Sequence, residues 1–97
     1  MNRLELELLL HTPGDSCGIA IAPLEAGRPV TGLVLADRSS LQLTPLEDIP
    51  LAHKVAVRAV AAGQPVILYG QPIGQATRPI RPGEHVHTHN LKSLRWT

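Results

Sequence analysis

The 97 residues carry nine Lys and Arg against eight Asp and Glu, a net charge of +1 with histidine neutral, and the basic residues are scattered along the chain. Such a charge pattern gives no footprint for nucleic acid, and no run approaches the roughly 18 apolar residues of a membrane span. With 43% hydrophobic but only 2% aromatic residues and no Phe, the core must be built from Val, Leu, Ile and Ala, in one domain over residues 1–97 thin enough that a partner is expected to stabilise it.

In chain order, LELELLL (Leu4 to Leu10) alternates apolar residues with Glu before becoming wholly apolar, the period of a half-buried strand with Leu4, Leu6 and Leu8 facing the core. Glu5 and Glu7 also break the apolar run a secretory leader would need, and the single Cys17 has no internal disulfide partner, so a cytoplasmic location is expected. Turn signals recur at Thr12-Pro13-Gly14-Asp15, Ala26-Gly27-Arg28-Pro29, Ala36-Asp37-Arg38-Ser39, Gly63-Gln64-Pro65, Tyr69-Gly70-Gln71-Pro72 and Arg81-Pro82-Gly83. The short β-branched runs between them predict a mostly β domain of about seven or eight strands. EAGRPV (25–30), AAGQPV (61–66) and RPGEHV (81–86) repeat one device, a Gly three residues before a Val, as a tight turn feeding a strand does. LAHKVAVRAVAA (51–62) mixes helix-favouring Ala with Val; it reads as a strand over Lys54 to Arg58, followed by a helical turn.

Three of the five histidines lie in HVHTHN (85–90). On a strand, His85, His87 and His89 share one face while Val86 and Thr88 take the other. Neighbours on that face are about 6.6 Å apart and the outer pair about 13 Å, so two can meet one ion and three cannot; a further ligand must come from elsewhere, His11 or His53 being the candidates. A substrate clamp or a plain solvated strand fits the same pattern. Lys54, with Arg78 or Arg81, offers cationic donors to a carboxylate. Cys17, amid Ile19, Ala20 and Ile21, reads as packed and inert. Asp15 and Ser16 read as turn-closing side chains, and Trp96 as an anchor for the C-terminal tail.

Four segments, HTPGDSCGIAI (11–21), DIPLAHKVAV (48–57), LYGQPIGQAT (68–77) and GEHVHTHNLKSLRW (83–96), together resemble the SAF-type small-subunit family of altronate dehydratase. That family includes sugar-acid dehydratases and the α subunit of (2R)-sulfolactate sulfo-lyase. The resemblance implies a β-clip fold and a metal-dependent lyase small subunit that works beside a much larger catalytic subunit. The reaction implied is β-elimination of water or sulfite from an anionic 2-hydroxy acid, with Fe(II) or another divalent metal. Carried onto this chain, it implies His85, His87 and His89 as metal ligands, His53 and Lys54 as catalytic, and His11, Lys54 and Asn90 as substrate contacts. Where the family usually has Gly before His-Lys, this chain has Ala52, which strains the loop if that position needs a positive φ. The alternative is a stand-alone SAF-type ligand-binding or regulatory module. Purified alone, a small β domain with open edges is expected to self-associate.

Overall fold

The structure, a computed structural model, describes residues 5–93. Nine short strands are formed among them: β1 (Leu6–Leu10), β2 (Cys17–Ala20), β3 (Val30–Val34), β4 (Ser40–Leu43), β5 (Lys54–Ala56), β6 (Pro65–Leu68), β7 (Gln71–Ala76), β8 (His85–Val86) and β9 (Leu91–Ser93). Six make a sheet in the order β4-β3-β1-β2-β5-β8 and three make a second, β6-β7-β9. The β1–β3 pair is parallel and the other pairs are antiparallel. The mostly β architecture expected from the turn spacing is thus the one observed. No helix among the described residues is long and apolar enough to cross a membrane.

On β1, Leu8 and Leu10 are buried and Leu6 half-buried, the alternation expected of this strand; a register irregularity in its pairing with β3 falls between Leu6 and Leu8. Leu4 and Trp96 lie outside the described residues. The strand expected over Lys54 to Arg58 ends at Ala56, and bends rather than a helical turn follow. The cause is a change of partners: Val57 N–H donates to Ser16 O and Val60 exchanges hydrogen bonds with Ile80, so long-range bonds take the groups a helix would use.

The repeated turn is real, and there is a fourth copy. Gly27, Gly63 and Gly83 all have positive φ, at 81°, 85° and 94°, and so does Ala52, at 71°. In each copy the next residue's N–H donates to the carbonyl three back: Arg28 to Glu25, His53 to Pro50, Gln64 to Ala61 and Glu84 to Arg81. A positive φ at the third position is what such a turn needs. Each turn follows a buried aliphatic residue, and these pair off as isolated antiparallel bridges, Leu24 with Ile49 and Val60 with Ile80.

Residues 24–55 and 60–86 therefore run through the same series: turn, G-x-P-V, hairpin, bridge residue, turn, short strand. The last strands of the two series, β5 and β8, pair with Lys54 opposite Val86 and Val55 opposite His85. That is the register a local twofold axis between them requires.

Candidate functional site

The β5–β8 pair positions the histidines. His53 directly precedes β5, held by its turn bond to Pro50 and by its carbonyl, which accepts from Ala20 N at 2.9 Å. His85 opens β8, and its N–H donates to the Glu47 carboxylate at 3.0 Å. The strand expected over 85–89 stops at Val86, and 87–90 turn away. Asn90 is the cause. Its side-chain oxygen accepts from His87 N at 2.9 Å and its amide nitrogen donates to His85 O at 2.8 Å, capturing backbone groups that a continued strand would use.

The flat face of three histidines is consequently not formed, and a different trio converges. The ligand nitrogens of His53, His85 and His87 all lie within 4.8 Å of one another. His53 Nδ1 and His85 Nε2 are 2.9 Å apart, one ring donating and the other accepting. The His85 and His87 rings stack, with centroids 5.2 Å apart and planes 6° apart. Burial, then the neighbouring imidazoles of His53 and His87, holds the His85 pKa below the ordinary histidine value, with Glu47 pulling the other way. A ring held neutral keeps a lone pair for a metal. A recess of about 150 Å³ opens here, lined by Ala52, His53, Lys54, Val86 and His87.

The remaining predicted residues divide. Lys54 is half-buried in the recess wall. His89 is exposed; its ring lies 5.9 Å from His85, outside the converging trio. Asn90 is 1% exposed, with both ends of its amide bonded to backbone, so here it positions His85 and His87. His11 stands past the end of β1, its ring edge-on to Tyr69 at 5.3 Å, and does not line the recess. Arg78 and Arg81 are exposed and do not line the recess. Cys17 is buried, and burial pushes its thiol up to about 12, so it is an inert core residue as expected. Glu47 was missed by sequence reasoning: its contact to His85 spans 38 residues and leaves no local signal.

Three imidazoles that already converge suit a borderline divalent metal such as Fe(II) or Zn(II), with coordination positions left over.

The altronate/galactarate dehydratase SAF domain matches residues 6–94. The chain is similar to (2R)-sulfolactate sulfo-lyase subunit alpha of Chromohalobacter salexigens, 37% identical over 96% of this chain and 100% of that one. The protein of the same name from Paracoccus pantotrophus is 47% identical over 66% of this chain and 96% of its own length. Altronate dehydratase of Escherichia coli is 37% identical over 81% of this chain, but the match spans only 15% of that longer protein.

Proposed function

This chain belongs to the altronate/galactarate dehydratase SAF domain family, and from that premise we propose that it is the small subunit of a metal-dependent lyase acting on an anionic 2-hydroxy acid, sulfolactate or a sugar acid. The observation that carries the reading is the convergence of His53, His85 and His87 beside Lys54 at one recess. His53, His85 and His87 would hold Fe(II) or another divalent metal. Bound there, it would supply Lewis-acid stabilisation of the charge that develops as the proton α to the carboxylate leaves. Lys54, in the wall of the same recess, would take the substrate carboxylate. Asn90 and Glu47 keep His85 and His87 oriented.

No carboxylate joins the histidine trio among the described residues, and the recess is open and small. The larger subunit would therefore complete the site and supply what this chain lacks, in the cytoplasm, where a lone buried thiol such as Cys17 stays reduced. The name "subunit alpha" of two relatives supports such a partner.

The test is reconstitution: the purified chain, the larger subunit and Fe(II) under anaerobic conditions, with 2-keto acid formation and bound metal followed together. Turnover is expected only in the mixture. His85→Ala should lower metal affinity more than about a hundredfold, beyond the loss typical of an outer partner, while His89→Ala leaves it near wild type. A larger subunit fully active by itself would refute the catalytic role, and ligand binding by the isolated chain without any partner dependence would favour the stand-alone module.

A further inference from the structure

Ala52 is the exception among the four equivalent turns. The other three place Gly at the positive-φ position, and this one alone places a side chain there. It is also the turn whose third residue lines the recess, next to His53 and Lys54. The turn does not need that methyl, since Gly adopts the conformation freely. Nor does the methyl fill the interior, because Ala52 is exposed. The anchors of His53 lie elsewhere, in its own N–H to Pro50 O and its carbonyl to Ala20 N, with Ala52 N–H bonded to Ala20 O at 2.7 Å. All three are main-chain bonds that a change of side chain at 52 leaves intact.

We propose that residue 52 determines the specificity of the recess, its side chain forming the wall along which the carbon chain of the bound acid lies. At about 150 Å³ the recess is well below the few hundred Å³ of an ordinary small-molecule pocket. One methyl group is a meaningful share of such a space. Ala at this position favours a short 2-hydroxy acid such as sulfolactate over a long polyhydroxy acid such as altronate. This deepens the lyase reading and rests on it.

Two substitutions separate the wall from the backbone. Ala52→Gly removes the side chain, and Ala52→Asn enlarges it; both residues accept a positive φ more readily than Ala. Thermal unfolding should therefore show both variants at least as stable as wild type. In the reconstituted complex, the ratio of kcat/KM for sulfolactate over altronate should fall at least about fivefold in Ala52→Gly and rise at least about fivefold in Ala52→Asn, mostly through KM, a range typical of one methyl group in a pocket. Ratios that stay put, or move the same way in both variants, overturn the proposal and leave residue 52 as a strained turn only. If the wild-type complex turns over neither acid, the lyase reading itself fails, and this inference fails with it.

Discussion

Asp15 concentrates five hydrogen bonds on one buried carboxylate: from the N–H groups of His11, Thr12, Tyr69 and Gly70 and from the Thr12 hydroxyl. Burial raises its pKa, but the bonds from the Thr12 hydroxyl and from the Gly70, Thr12 and His11 N–H groups outweigh it and hold the carboxyl below its ordinary 3.8. Because the folded value is depressed, the stabilisation is present above about pH 4 and is lost as pH falls through the folded value. Asp15→Asn cannot accept on both sides, and its amide would face N–H donors. It should cost about 2–4 kcal/mol at neutral pH, and the wild-type and variant urea midpoints should converge toward pH 3; parallel curves would contradict this account. The turn-closing half of this role was legible in the sequence as Asp15-Ser16. Its long-range half was not, because Tyr69, Gly70 and Ile67, the last bonded to Ser16, lie more than 50 residues away.

At the scale of elements, the turn motif was read from three glycines, and the fourth copy was hidden because its third residue is Ala. Left-handed backbone costs an L-residue about 1–2 kcal/mol, so composition alone argues against that turn at Ala52; only the structure shows the chain adopting it. The four copies share a conformation and differ in surroundings. A Cβ on Gly27 meets nothing within 4 Å, whereas one on Gly83 lies 2.6 Å from Thr44 O and 3.1 Å from Leu46 N. Gly27→Ala should therefore cost about 1 kcal/mol of backbone strain. Gly83→Ala adds a clash with backbone that cannot rotate away and should cost about 3 kcal/mol, loosening Leu46 N–H from Gly83 O. Equal losses in chemical denaturation would show that conformation alone, without space, sets the tolerance of this turn. The strand ends were less legible than the turns for a related reason. Asn90 stops β8 through its side chain, and nothing in the alternation of HVHTHN announces that.

For the whole molecule, strand geometry in the sequence implied that a metal met by two histidines of HVHTHN would need a further ligand, His11 or His53, whereas the family resemblance implied His85, His87 and His89. What brings His53 to His85 and His87, with His11 and His89 left apart, is the pairing of β5 with β8, a contact between distant segments that no local pattern encodes. The same pairing joins two hydrophobic cores. One centres on Leu8, Leu24 and Ile49, and the other on Val66, Ile80 and Val86. Strands β2 and β5 serve both, with Ala20 and Val55 in the first core and Cys17 and Ala56 in the second. Neither core can open without exposing strands that the other depends on, so the domain should unfold in one step although it extends over 49 × 27 × 19 Å. A chain of this length has about 5–15 kcal/mol of stability in all, and Leu8→Ala or Ile80→Ala removes about 2–5 kcal/mol from one core. Each variant should move the entire calorimetric transition down by about 10–30 °C, at the usual several degrees per kcal/mol for a small domain, with the calorimetric and van't Hoff enthalpies still equal. A thermogram that splits in two under either substitution would mean that the cores are separate folding units, and that the histidine cluster is assembled across a joint rather than within a single framework.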